Sequence, residues 1–243
     1  MRVLAARLRS EDGFTLTELL VAVLISTIVL LASMALLDAS QGASVRVQDR
    51  VDATQKGRVA MELITQRLRS QTCLGTGVPA LLDARSDQVT FYTEMRDFSS
   101  SAGTGFKPEL RRLTFASNGS IDESVWVSQT STTAPFFTFP GYSATPTRQL
   151  AIARNIQRAG TTSYLRYFAF VGDNPATPSQ EVIPAANSSL SADDRARIVR
   201  IMVTFDSRPT RTVQSTNVDS TFEAEVYVRT SDPTDPTHSP QCL

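Results

Sequence analysis

Few side chains in this chain could perform chemistry, and one of them stands in an unfavourable place. Glu18 opens an apolar run in which no residue from Leu19 to Leu37 is charged. A carboxylate at membrane depth costs about 2–3 kcal/mol even on insertion scales, so it generally has a partner or a task. The only histidine, His238, sits in a proline-rich tail and cannot anchor a triad or a zinc set. No glycine-rich phosphate loop, H-E-x-x-H or G-x-S-x-G pattern occurs. Asp193, Asp194, Asp232 and Asp235 lie in loop-like text without EF-hand spacing and read as solvated acids. Arg195, Arg197, Arg200, Arg208 and Arg211 are interleaved with Asp193, Asp194 and Asp206, which suits solvated strand edges better than a nucleic-acid surface. The formal net charge is zero, and the basic residues are all arginine except Lys56 and Lys107. The expectation is a chain with no catalytic residue, no metal site and no cofactor, hence not an enzyme.

The element that must position Glu18 is the apolar run itself. Wound as a helix at about 1.5 Å per residue, Leu19 to Leu37 spans roughly 28 Å, close to the hydrocarbon thickness of a bilayer. Arg2, Arg7 and Arg9 precede it and favour a cytoplasmic N-terminus with the rest of the chain outside. A secretory signal peptide fits poorly, because the run is too long and Ala32-Ser33-Met34 offers a weak cleavage site. A plain single-span anchor explains length and orientation but leaves Glu18 unexplained, unless it reaches headgroups at the cytoplasmic edge.

The stretch Gly13-Phe14-Thr15-Leu16-Thr17-Glu18-Leu19-Leu20 resembles the prepilin signal of type IV pilins and of the pseudopilins of type II secretion. The resemblance implies a short basic leader ending at Gly13, cleaved between Gly13 and Phe14 by a prepilin peptidase that also methylates the new amine of Phe14. Glu18 then becomes the fifth mature residue. Cleavage on the cytoplasmic side keeps the apolar helix attached and creates a positive amine. In a filament whose helices exclude water, the Glu18 carboxylate could pair with the Phe14 amine of a neighbour. Buried charges persist only when paired, so such a pair would specify axial register.

Beyond Asp38 the sequence stays helix-compatible to Ser70 without a proline. Ala53, Gly57, Ala60, Met61, Ile64 and Leu68 recur at helical steps, with Arg50, Gln55, Arg58, Glu62 and Arg69 on other faces. Gly42 is a candidate bend and Gly57 a candidate for close packing. After Cys73 short β-like runs follow: Val89–Thr93, Leu110–Phe115, Ile121–Val127, Leu150–Ala153, Tyr164–Val171, Ile198–Phe205 and Phe222–Val228. The fold class expected is α+β, a long N-terminal helix packed on an antiparallel β-rich head. The organisation expected is a leader at 1–13, a membrane or filament-core helix at 14–37, its amphipathic continuation at 38–70, and a head at 71–243. Two long loops, 130–147 and 172–194, interrupt the head. The first carries Phe136, Phe137, Phe139 and Tyr142, either folded onto the core or exposed as a contact surface. Cys73 and Cys242 match no metal spacing; with the head exported, a Cys73–Cys242 disulfide is the natural reading, and two unpaired thiols the alternative.

The stretch from Lys56 to Arg69, followed by the strand text Asp87-Gln88-Val89-Thr90-Phe91-Tyr92, resembles the J-type pseudopilins and the related W-type minor pilins. This resemblance implies a non-catalytic structural subunit that primes or caps a pilus or pseudopilus. The implied partners are other pilins or pseudopilins met through the N-terminal helix, the prepilin peptidase/methyltransferase and an inner-membrane assembly platform, with no nucleic acid. The implied location is the cytoplasmic (inner) membrane, crossed once, and later the filament. The alternative is a pilus-displayed binding module, an adhesin or a DNA-uptake subunit.

Overall fold

The computed structural model describes residues 14–73, 80–96, 106–128, 137–140, 144–169, 180–186, 188–210 and 219–228. Gly13, Phe136, Tyr142, Arg211, His238 and Cys242 lie outside the described residues, as do Asp232 and Asp235. The chain divides into two compact units, Met1–Gln48 and Asp49–Leu243. The helix α1, Leu16–Arg69, contributes to both.

In the first unit the helix is exposed throughout its apolar length, Gly42 included, which is helical with open space around it. Its hydroxyls do not interrupt it. Thr27 Oγ1 donates to the Leu24 carbonyl and Ser33 Oγ to that of Val29, both at 2.8 Å. Such back-bonding lets a helix carry polar side chains where no water is present to satisfy them.

In the second unit α1 buries one stripe: Asp49, Ala53, Gly57, Ala60, Met61, Ile64 and Leu68. Steps of three and four residues put these on one face, while Arg50, Gln55, Arg58, Glu62 and Arg69 are exposed. The helix ends where Ser70 N donates to the carbonyls of Gln66 and Arg67, and Arg67 and Arg69 place positive charge in the last turn. Gln71 then bridges to Thr93.

The strands form two antiparallel sheets. The first runs in sequence order: β1 Leu81–Ala84, β2 Gln88–Arg96, β3 Phe106–Phe115, β4 Ser120–Val127 and β5 Arg148–Arg154. The second contains β6 Ile156–Gln157, β7 Leu165–Ala169, β8 Gln180–Val182, β9 Ile198–Ser207 and β10 Ser220–Tyr227, in the order β10-β9-β7-β8 with β6 also on β9. Between β8 and β9 lies a short helix, α2 Ala192–Ala196, capped by Ser191. The fold is α+β, as expected. The segment 172–194, read from sequence as a loop, holds β8 and the start of α2; both are too short to leave a periodic pattern. Among the described residues of the aromatic loop, Phe139 packs on Tyr92 with ring centroids 5.3 Å apart, and Trp126 Nε1 donates to the Ala144 carbonyl at 2.9 Å. Phe139 and Ala144 therefore lie against the outer face of the first sheet.

The hydrophobic core joins the helix stripe to both sheets through Phe91, Leu113, Ile121, Tyr167, Ile201, Val203, Phe205 and Val226. Alternation explains the second sheet: Phe222, Ala224 and Val226 register with Phe205, Val203 and Ile201 on the inner side. Gly57 is required by this packing. A Cβ there would overlap the Phe222 ring, with Cζ 2.5 Å and Cδ2 2.6 Å away. Chain passage between the sheets needs a second special backbone. Asn155 sits at φ 61° between β5 and β6, and Ile156 N donates to the carbonyl of Gly119, whose φ is 80°. Asparagine tolerates this left-handed region better than other residues with side chains.

The first sheet departs from simple alternation. Thr93, Arg111 and Glu123 all point to the helix side yet are polar and buried. Arg111 is fully buried; its Nη1 donates to Glu123 Oε1, its Nη2 to Glu109 Oε2, and its Nε to Thr93 Oγ1 at 3.2 Å. Arg67 of α1 approaches the same Glu123 oxygen at 3.2 Å. One carboxylate thus joins helix to sheet. Removing one partner of a buried ion pair is severe because it leaves the other charge uncompensated. Glu123→Gln leaves buried Arg111 with Glu109 as its one carboxylate and removes the ionic partner of Arg67, and is expected to destabilise the protein by about 3 kcal/mol, measured by urea unfolding of the detergent-solubilised chain.

A second polar cluster ties the end of the β8–α2 connection to β1. Ala84 N donates to Ser189 Oγ and Leu190 N to the Ala84 carbonyl, both at 3.0 Å. Asp83 accepts from Arg85 Nε at 3.2 Å and from Gln88 Nε2 at 2.5 Å. Burial pushes the Asp83 carboxyl upward, but hydrogen bonds from Ser189, Arg85 and Gln88 and the charge of Arg85 outweigh it, and the net direction is below the ordinary value. A carboxyl whose folded pKa is depressed binds fewer protons folded than unfolded, so its stabilisation is present above the unfolded value near 3.9 and is lost as pH falls through the folded value. Asp83→Asn is therefore expected to flatten the acid side of a plot of unfolding midpoint against pH, with the difference from wild type vanishing below that window.

Candidate functional site

The start of α1 sets one carboxylate, Glu18, among exposed apolar residues. Every described residue from Phe14 to Leu37 is exposed, Phe14 at 84 %. A contiguous apolar surface of this extent is what a membrane or a protein partner covers. The helix is long and apolar enough to cross a bilayer.

At its first turn the backbone N–H groups have no intrahelical acceptors. Thr15 and Glu18 satisfy them reciprocally. Glu18 N donates to Thr15 Oγ1 at 3.3 Å, and Thr15 N donates to Glu18 Oε2 at 3.1 Å. The Thr15 hydroxyl also donates to Glu18 Oε2 at 3.0 Å, and Leu19 N makes the first helical bond to the Thr15 carbonyl. This is a capping box, Thr-x-x-Glu, which also places a negative charge at the positive end of the helix dipole. Both bonds to the carboxylate use Oε2; among the described residues Oε1 has no hydrogen-bond donor. Glu18 is thus held in place by its own helix while keeping an acceptor to spare. The signal for Thr15 was present in the sequence as T-L-T-E, and the sequence reading assigned Thr15 no role.

Residues 8–34 match the family model described as a prokaryotic N-terminal methylation motif. The chain carries that motif. The match takes in the Gly13–Phe14 junction, the capping box and most of the exposed apolar helix, and it stops short of the head. It points to a type IV pilin-like or pseudopilin subunit, processed by a peptidase, anchored in a membrane by the apolar helix and assembled with other pilins. A search of curated proteins returns no significant match.

The other candidate residues fall elsewhere. Cys73 stands just beyond α1 and is not a free thiol. The arginines near residues 195–208 are engaged locally: Arg197 with Asp194, Arg200 with Glu225, Arg208 with Asp219, and Arg195 with Ser189 and the Leu190 carbonyl. Asp194 donates its N–H to the capping Ser191 hydroxyl of α2, and hydrogen bonds from Ser191 and Arg197 hold its carboxyl below the usual range. Among the described residues no group of three or more His, Cys, Asp or Glu could hold a metal ion.

Thr15→Val removes the hydroxyl that caps the helix and is expected to weaken its first turn by about 1 kcal/mol. Amide hydrogen exchange at Leu16, Thr17 and Glu18 in micelles should quicken, with exchange around Ile64 unchanged.

Proposed function

We propose that the chain is a minor pilin or pseudopilin, a non-catalytic subunit of the J-type or W-type group that primes or caps a pilus-like filament. The leader 1–13 is removed after Gly13 and Phe14 is N-methylated. The N-terminus faces the cytoplasm, the helix crosses the inner membrane once, and the head lies outside. Residues 14–37 form the filament core, 38–70 the amphipathic continuation and 71–243 the head. Cys73 pairs with Cys242, a reading supported by Cys73 not being free.

The single observation that carries this reading is the geometry of Glu18. A carboxylate on an exposed apolar helix is fixed by Thr15 through one oxygen, and its other oxygen remains available to a cation. The amine created at Phe14 of a neighbouring subunit is a cation of the right kind. In a water-free bundle the pair persists only when both charges meet, so a subunit out of register is penalised by several kcal/mol.

Mass spectrometry of the mature protein tests the processing: the first residue should be Phe14 carrying one N-methyl group, and a chain starting at Met1 refutes it. Glu18→Ala should still insert in the membrane but be depleted from filaments at least several-fold, measured by quantitative immunoblotting of sheared filaments against membranes. Equal incorporation refutes the charge pairing. Loss of all filaments on deletion identifies a priming subunit, whereas intact filaments with lost adhesion or DNA uptake identify a displayed binding module.

A further inference from the structure

Strand β5 leaves one of its edges without a partner among the described residues, since it pairs only with β4. Unpaired strand edges template the addition of another strand, and proteins usually blunt them. The other edges of the sheets are treated differently. β1 is bonded to Ser189 and Leu190, β8 runs only Gln180–Val182, and β10 carries Glu223 and Glu225 in its middle. β5 is exposed along most of its length and uncharged between its terminal residues, Arg148 and Arg154. Ile152 is the extra residue of a bulge opposite Ile121 and Asp122, which leaves further main chain outside the ladder.

This edge borders a groove of about 760 Å³. Val59 of α1 and Ala151, Ile152 and Ala153 of β5 supply apolar lining. Asp52 and Lys56 line it too, but they are committed to each other and to Thr210, with Lys56 Nζ 2.8 Å from Asp52 Oδ2. Those hydrogen bonds, Lys56 first, hold the Asp52 carboxyl below its ordinary value. Arg148 and Arg154 have no acidic partner among the described residues.

We propose that the β5 edge and its groove receive an extended acidic polypeptide segment of another protein, added as a strand. Its backbone bonds to the open edge, small apolar side chains on its inner face rest on Ile152, Ala153 and Val59, and carboxylates on its two faces meet Arg148 on the inner side and Arg154 on the outer. Strand addition gives affinity through the main chain and selectivity through alternate side chains. Charge decides between an acidic segment and a second copy. A second copy would bring two further arginines and no acidic residue to this edge, whereas an acidic segment brings the opposite charge to Arg148 on the inner face and Arg154 on the outer. The proposal concerns the head and stands or falls independently of how the N-terminus is processed.

The test uses the full chain in non-ionic detergent micelles. A short fluorescent valine-rich peptide with glutamates near its ends on both faces is titrated with it and read by anisotropy, with the same peptide carrying lysine in place of glutamate alongside. The acidic peptide should bind, the lysine peptide should not, and amide exchange across residues 148–154 should slow in the complex. The doubly substituted Arg148→Glu, Arg154→Glu chain should bind the acidic peptide about ten-fold more weakly, as expected when exposed charge pairs are reversed, and gain affinity for the lysine peptide. Absence of acidic-peptide binding, equal binding of both peptides, or binding without protection of 148–154 overturns the proposal. So does self-association in sedimentation velocity that the double substitution abolishes, which would assign the edge to a second copy.

Discussion

A single carboxylate oxygen, Glu123 Oε1, receives two guanidinium groups, one from the end of the helix and one from the middle of a strand. Arg67 keeps some contact with solvent, while Arg111 has none. The interaction is therefore asymmetric: Arg111 depends wholly on Glu123, Glu109 and Thr93 to compensate its buried charge, and Arg67 brings the helix to a pair that already exists. Apolar contacts along Ala60, Ile64 and Leu68 hold the helix down but are tolerant of sliding. A buried ion pair is not tolerant, because a shift of one turn leaves a charge without its partner. Hydrophobic burial supplies the adhesion of the layers, and this polar contact supplies their register.

The same logic operates at the start of the helix on a smaller scale. There the carboxylate of Glu18 is presented by hydrogen bonds from its own first turn. Both carboxylates lie on surfaces otherwise dominated by hydrocarbon, and both are useful because misplacement is expensive. In the head the partner is supplied by the fold. At the N-terminus the proposed partner belongs to another subunit, so the energetic penalty acts on assembly instead of folding.

Much of this was legible in the sequence, for identifiable reasons. The buried stripe from Ala53 to Leu68 was read residue for residue, because a helix packed on one side repeats its apolar positions locally. Strands β9 and β10 were equally clear, since one of their faces is apolar and the other polar. β2, β3 and β4 were found, but the inward polar residues Thr93, Arg111 and Glu123 were not, because strand alternation assigns charge to the solvent side and their pairing spans separate elements. β1, β6, β8 and α2 are too short to show a period. At the candidate site Gly13, Phe14 and Glu18 were evident as a local pattern, whereas the capping function of Thr15 was written in the same six residues and passed over. Cys242 and Gly13 lie outside the described residues.

Phe222 occupies the space that a side chain at residue 57 would otherwise take, and on its far side it lies 5.7 Å from the ring of Phe205. A half-buried ring between a helix backbone and another ring turns about its axis only when that contact loosens, so the rate of its half-turn reports local breathing where the helix meets the second sheet.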